Sequence, residues 1–228
     1  MMSKGLFITG TGTDIGKTYV TALLLKKLRE GGFDAAYFKA AMSGNERGAD
    51  GRLIPGDAAQ VKSVSGIEQG LGEMCPYVYE AAVSPHLAAR LEGSPVELEE
   101  VMAAYGRVCE KHELVIAEGS GGIVCPIRYD EKKLMLEDIV RALGLPCAVV
   151  ADAGLGTINH VVLTVEYLRA RGFEVRGVIL NNFVKGDVLH EDNKVMCTRL
   201  ADTPVLACVG AGECDIDLDA RRLASLCG

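Results

Sequence analysis

Gly10-Thr11-Gly12-Thr13-Asp14-Ile15-Gly16-Lys17-Thr18 follows directly on the apolar run Leu6–Thr9 and leads into Tyr19–Arg29, where Val20, Leu23, Leu24 and Leu28 fall on neighbouring helical turns. A strand, a glycine-rich turn and a Gly-Lys-Thr that opens a helix describe a phosphate-binding loop. The glycines let backbone N–H groups turn towards phosphate oxygens at a helix N-terminus. Lys17 would neutralise β- and γ-phosphate charge, and Thr18 would offer its hydroxyl to Mg²⁺. The commoner spacing, G-x-x-x-x-G-K-[ST], needs glycine at position 11, where this chain has Thr11, so the motif is a variant. The competing reading is an ordinary βα turn, and the four elements in succession weigh against it.

Outward from the loop, Ala35–Phe38, Leu114–Ala117, Cys147–Ala151, Val175–Leu180 and Val205–Val209 also read as strands, and several are apolar at every position. Strands of that kind are covered on both faces, which predicts an α/β chain with a mainly parallel β-sheet flanked by helices on both faces. Leu98, Val101, Met102, Tyr105, Val108 and Cys109 make one buried helical stripe; Ile158, Val161, Val162, Val165 and Leu168 make another. The glycine-rich stretch 41–56 reads as a long surface loop of the functional kind. No composition break divides the 228 residues, so residues 1–228 are expected to form a single domain.

The net charge of −7 and the lack of a dense Lys/Arg cluster argue against a nucleic-acid partner. No apolar run reaches the roughly 20 residues that span a bilayer, and Met1–Lys4 enters the first strand without a leader pattern, so no membrane partner and a cytoplasmic location are expected. The eight cysteines form no C-x-x-C pair and read as buried small hydrophobes.

Phosphate loops recruit a carboxylate at the end of a second strand to hold the metal directly or through water. Leu114-Val-Ile-Ala-Glu118-Gly119-Ser120-Gly121-Gly122 supplies one at the carboxyl edge of the sheet, with a helix-capping role as the alternative for Glu118. Asp57 is a second candidate, and taken by itself it reads as an N-cap.

In order along the chain, these blocks resemble the dethiobiotin synthetase family of phosphate-loop proteins. The family's Gly-Thr-Asp-Thr-x-Val-Gly-Lys-Thr matches the loop from Gly10, with Gly12 in place of Asp. Its Lys-Pro-Val-x-Ser-Gly matches Lys39 to Gly44, with Ala40 in place of Pro. Gly56-Asp57-Ala58, Ser84-Pro85-His86, Glu118 to Gly122 and Gly156-Thr157-Ile158-Asn159-His160 correspond to further blocks. Asn181-Asn182 stands where the family has Asn-Asp near the base, and Cys208-Val209-Gly210 where it has Glu-Ile-Pro. Those departures leave CTP or a promiscuous triphosphate site open beside ATP.

The resemblance implies ATP- and Mg²⁺-dependent ring closure of 7,8-diaminopelargonate with CO₂ or bicarbonate. It assigns catalysis to Lys39 and Lys17, and nucleotide binding to Thr13, Asp14, Ile15, Gly16, Lys17, Thr18, Tyr19, Asp57, Glu118, Gly119, Ser120, Gly121, Asn181 and Asn182. Thr18, Asp57 and Glu118 would hold the metal, and Thr13, Lys39 and Ser43 the substrate. Gly156, Thr157 and Asn159 would reach the substrate carboxylate from the other subunit of a homodimer. Two rivals share the scaffold. A ParA/MinD-like nucleotide switch would carry an extra lysine where this chain has Thr11, Gly12 and Thr13. A cobyrinate-type amide ligase would need room for a glutaminase domain.

Overall fold

Leu6, Ile8, Tyr37, Ile116 and Val150 enter one hydrophobic core, while their chain neighbours Phe7, Phe38, Val115, Ala117, Val149 and Ala151 enter another. Successive side chains of a strand point to opposite faces, so strands apolar throughout must be covered twice. The computed structural model, which describes residues 4–228, has that arrangement. Met1–Ser3, part of the leader reading, lie outside the described residues.

The chain runs β1 (Lys4–Gly10), α1 (Lys17–Glu30), β2 (Ala35–Lys39), β3 (Ala41–Met42), α2 (Gly56–Ser65), α3 (Leu71–Met74) and β4 (Tyr77–Val78). It continues through α4 (Pro85–Leu91), α5 (Leu98–Cys109), β5 (Leu114–Glu118), β6 (Pro126–Tyr129), β7 (Lys133–Met135) and α6 (Leu136–Leu143). The last elements are β8 (Cys147–Asp152), α7 (Thr157–Ala170), β9 (Val175–Asn181), α8 (Val188–Leu200), β10 (Val205–Val209) and α9 (Ala220–Leu226). Six strands form one sheet in the order β10-β9-β8-β1-β5-β2, and every pairing within it is parallel. Helices α1, α2 and α9 bury Leu23, Leu24, Val61 and Leu223 against one face. The other face takes Val101, Val108, Val140 and Val161 from α5, α6 and α7.

All six expected strands are present, and most run further at the carboxyl end than the apolar pattern indicated. Lys39, Glu118, Asp152 and Asn181 are each the last residue of their strand. The long segment 41–56 is more ordered than a free loop. Its first residues pair as β3 with β4, and buried Asn45 donates to the Tyr79 carbonyl at 2.8 Å and accepts from Gly56 N at 2.8 Å. None of the cysteines is in a disulfide; Cys75, Cys125, Cys147, Cys197 and Cys227 are buried, whereas Cys109 and Cys208 are half-buried and Cys214 is exposed. The expectation that all eight are core residues therefore fails at Cys214, which follows the turn after β10. No helix among the described residues is long and apolar enough to cross a membrane.

Strand β2 is at the edge of the sheet, and an edge strand leaves every second pair of backbone groups without a ladder partner. At Tyr37 the side chain of Gln69 fills that place. Tyr37 N donates to Gln69 Oε1 at 2.8 Å, and Gln69 Nε2 donates to the Tyr37 carbonyl at 3.0 Å. All these groups are buried. Replacing the amide by an apolar side chain of similar size would strand two buried backbone groups, each at about 1–3 kcal/mol. Gln69→Leu should therefore lower unfolding stability by roughly 2–4 kcal/mol, read from urea midpoints; an unchanged midpoint would mean that water serves Tyr37 as well as Gln69 does.

Candidate active site

Strands β1, β5 and β2 lie side by side with β5 in the middle; β5 and β2 end at the same level and β1 runs two residues further. In register Glu118 stands between Ile8 of β1 and Lys39 of β2. The carboxylate of Glu118 is buried, 2 % exposed, at a depth where an unpaired charge would be strongly unfavourable. Three donors meet it: Thr18 Oγ1 at 2.8 Å and Lys39 Nζ at 2.7 Å to Oε1, and Tyr37 Oη at 3.1 Å to Oε2. No helix begins at Glu118, so the capping alternative does not hold. Asp57 sits in the first turn of α2, but the N-cap there is Pro55, and the Asp57 carboxylate accepts from Lys39 Nζ at 2.6 Å. The N-cap reading of Asp57 is thereby corrected.

Lys39 thus holds two carboxylates at once. Burial by itself would lower its pKa, but Glu118 and Asp57 outweigh that effect and hold it above its ordinary value, so the ammonium stays charged. Lys17 is placed differently. Its Nζ bends back to the Gly12 carbonyl at 2.7 Å, and burial, followed by the charge of Lys39, lowers its pKa to about 8. A polyanion bound beside it would favour the charged form again. Tyr37 is fully buried, and burial with the Glu118 charge pushes its phenol well above the ordinary value, so the hydroxyl is a donor.

The phosphate loop is shaped by what lies beneath it. Gly16, the N-cap of α1, has φ 84°, and a Cβ there would come within 2.1 Å of Asn181 Nδ2. Only glycine meets both demands. That Asn181 amide donates to the Ile15 carbonyl at 3.0 Å, while its Oδ1 is buried without a partner. Asp14 is left-handed at φ 57°, a conformation sparsely populated outside glycine and found at ligand clamps. Helix α1 has no side-chain cap and no acidic residue in its first turn, so its N-terminal amides and dipole suit an anion.

A cleft of about 760 Å³ collects most of the residues expected at the site. Thr13, Asp14, Gly16, Lys17, Thr18 and Tyr19 line one wall; Lys39, Ser43, Asp57, Glu118, Ser120 and Gly121 line the rest. Ile15 contributes its carbonyl to the brace below, and Gly119 packs against Phe7 and Leu136. Asn182 is exposed, left-handed at φ 56°, and donates to Asp152 Oδ2 at 2.7 Å. Gly156, Thr157 and Asn159 do not line this cleft. They open α7 after β8, on the far side of β1, where Asn159 is exposed, Leu155 is 90 % exposed and the Thr157 hydroxyl is buried without a partner. Their N-terminus is again uncapped and free of acidic residues.

Tyr37, Gln60 and Cys125 also belong to the site or its support and were missed in the sequence. For Tyr37 a signal existed: two residues before Lys39 on one strand, it must share that lysine's face. The donor set suits a hard divalent cation, since Thr18 meets Glu118 Oε1 and the carboxylates of Glu118 and Asp57 already share one cationic group, the Lys39 ammonium. The orphaned Asn181 Oδ1, an acceptor beneath the loop, suits the exocyclic amine of a nucleotide base.

A family model described as an AAA domain matches residues 4–213. An ATP-dependent dethiobiotin synthetase of Clostridium perfringens is 48 % identical over 199 residues, covering 87 % of this chain and 87 % of that one. Another, of Brachyspira hyodysenteriae, is 45 % identical over 226 residues and 99 % of both chains. A third, of Clostridium botulinum (strain Eklund 17B), is 43 % identical over 222 residues and 97 % of both. Among solved structures, the MinC:MinD cell division protein complex of Aquifex aeolicus is similar with a TM-score of 0.56 at 13 % identity, covering 91 % of this chain and 81 % of that one. A ParA family ATPase of Chlorobium tepidum gives 0.52 at 10 % identity, over 91 % and 83 %. Likeness at such identities is a likeness of fold.

Proposed function

The chain belongs to the ATP-dependent dethiobiotin synthetase family, and from that premise we propose how its cleft carries out the ring closure. The reaction is a step of biotin biosynthesis: 7,8-diaminopelargonate, CO₂ and ATP give dethiobiotin, ADP and phosphate. One amine takes up CO₂ as a carbamate, whose oxygen attacks the γ-phosphorus and displaces ADP. The second amine then attacks the carbamoyl carbon, and phosphate leaves as the ring closes. Phosphorylation turns a poor leaving oxygen into a good one.

The observation that carries the residue roles is the position of Lys39, an ammonium held at the floor of the cleft and facing the phosphate loop. There it holds the carbamate in line with the γ-phosphate, a gain of orientation, and offsets the negative charge gathered between the two reactants. Lys17 and the α1 N-terminus hold the phosphates. Mg²⁺ held by Thr18, Asp57 and Glu118 would supply further charge to the β- and γ-phosphate oxygens. Thr13 and Ser43 orient the diamine and the carbamate. Asn181 Oδ1 accepts from an exocyclic amine, a group that adenine and cytosine have and that guanine and uracil lack at that edge. Because Asn159 and its helix N-terminus lie outside the lining of their own cleft, they serve the substrate carboxylate of the other subunit in a homodimer. The location that fits such an enzyme is the cytoplasm.

Phosphate release from ATP tests the reading. It should require both diaminopelargonate and bicarbonate, and should fall to background when either is left out. Steady hydrolysis without the diamine would instead favour a nucleotide switch of the ParA/MinD kind.

A further inference from the structure

Glu118 has two carboxylate oxygens, and the structure treats them differently. Oε1 receives Thr18 and Lys39 from the cleft side, whereas Oε2 receives the Tyr37 hydroxyl from inside the core. The terminal torsion of a glutamate is broad, so nothing in the side chain itself decides the angle at which its carboxylate meets the cleft. Tyr37 can decide it. Its ring is fully buried in the core under α1, and its backbone N–H and carbonyl are both fixed by Gln69. The hydroxyl therefore has one place to be, and a buried hydroxyl needs an acceptor.

We propose that Tyr37 is a positioning residue of the metal site, its hydroxyl holding Glu118 Oε2 so that Oε1 is presented to the cation beside Thr18. The inference rests on the proposed role of Glu118 as a metal ligand and adds to it an outer partner, Tyr37, with Gln69 behind it. Outer partners of ligating carboxylates and imidazoles orient the ligand atom, and their loss weakens metal binding by about 10- to 100-fold.

The bland alternative is that Tyr37 is a core aromatic whose hydroxyl takes the nearest acceptor. Both readings allow some loss of stability, so the deciding readout is metal affinity. Mn²⁺ binding to the whole enzyme with ADP, followed by the electron paramagnetic resonance of free Mn²⁺, is compared for wild type, Tyr37→Phe, Glu118→Gln and the double variant. Tyr37→Phe should bind Mn²⁺ about tenfold more weakly, with ADP affinity in the presence of EDTA unchanged. The Mg²⁺ concentration for half-maximal turnover should rise in step, while turnover at saturating Mg²⁺ changes much less. In the Glu118→Gln background the second substitution should add nothing, since the one carboxylate that Tyr37 touches is gone. That comparison also serves if Tyr37→Phe alone folds poorly, because a neutral amide tolerates the loss of one donor better than a buried carboxylate does. A Tyr37→Phe enzyme with a lowered melting temperature and wild-type Mn²⁺ affinity overturns the proposal, as does a Tyr37 effect that persists without Glu118. If Glu118→Gln itself binds Mn²⁺ normally, the metal role of Glu118 fails and the inference goes with it.

Discussion

Replacement of Lys39 by alanine is expected to lower turnover by about a thousandfold and, separately, to destabilise the protein by on the order of 3 kcal/mol. The two effects have different origins. On the role proposed for Lys39, turnover falls because the ammonium that lines up carbamate and γ-phosphate is gone, so both orientation and charge stabilisation are lost. Stability falls because Glu118 is left buried with Thr18 and Tyr37 as its remaining hydrogen-bond donors, and Asp57 loses its ion-pair partner. Removing one partner of a buried pair leaves an uncompensated charge, which is the costly event. Since Mg²⁺ would neutralise the same two carboxylates, it should raise the melting temperature of Lys39→Ala more than that of the wild type. An alanine variant that melts like the wild type and does not respond to Mg²⁺ would show that Lys39 is not compensating those charges.

The second large effect is a recovery rather than a loss. Lys39→Ala puts a lesion in the cleft, and Asn159→Asp sets a negative charge at the helix N-terminus that would meet the substrate carboxylate. If the proposed homodimer shares its pockets, each variant should be inactive by itself. In a mixed dimer one pocket collects both lesions and the other collects neither. Random exchange makes about half the dimers mixed, each with one sound pocket in two, so activity should return to about a quarter of wild type. If Asn159 acts only within its own subunit, every pocket keeps a lesion and the mixture stays dead. Native mass spectrometry of tagged chains establishes that exchange took place, and a dead mixture after exchange removes the shared site while leaving the phosphate loop in its role.

The parts of this molecule that were legible in the sequence are those where one local pattern has one physical cause. Leu6–Thr9 followed by Gly16-Lys17-Thr18 could be read because a turn that wraps phosphate needs glycine and a helix N-terminus in that order. The parallel sheet could be read because strands covered on both faces stay apolar at every position. Strand ends were legible only in part, for Glu118 was read at the carboxyl edge of the sheet while the one-residue extensions of the other strands were not. Lys39, Glu118, Asp152 and Asn181 are polar residues that extend an apolar run by one position, and it is there that the sheet turns from packing to chemistry. Asp57 shows another limit. An acid opening a helix looks like a cap from the sequence, and only its distance to Lys39 gives it a different partner. Spacing could have put Tyr37 on the face of Lys39, but Ala36, Tyr37 and Phe38 read as core and the hydroxyl carries no mark of what it touches. Gln69 lies far from β2 in the chain, and no pattern links a glutamine side chain to a strand it completes.

That glutamine has a consequence for fidelity of pairing. Parallel strands keep register only through their neighbours, and β2, at the rim, has one neighbour where the inner strands have two. Side chains alternate between faces, so a slip of one residue along β5 would carry Lys39 and Tyr37 through the sheet and bring Phe38 to the cleft side. Such a slipped strand would still be apolar enough to pack. By gripping both backbone groups of Tyr37 and of no other residue, Gln69 acts as a locating pin. It also occupies the hydrogen-bonding positions through which a foreign strand would join the rim at that point. One side-chain amide thus guards the frame in which the lysine and the glutamate meet.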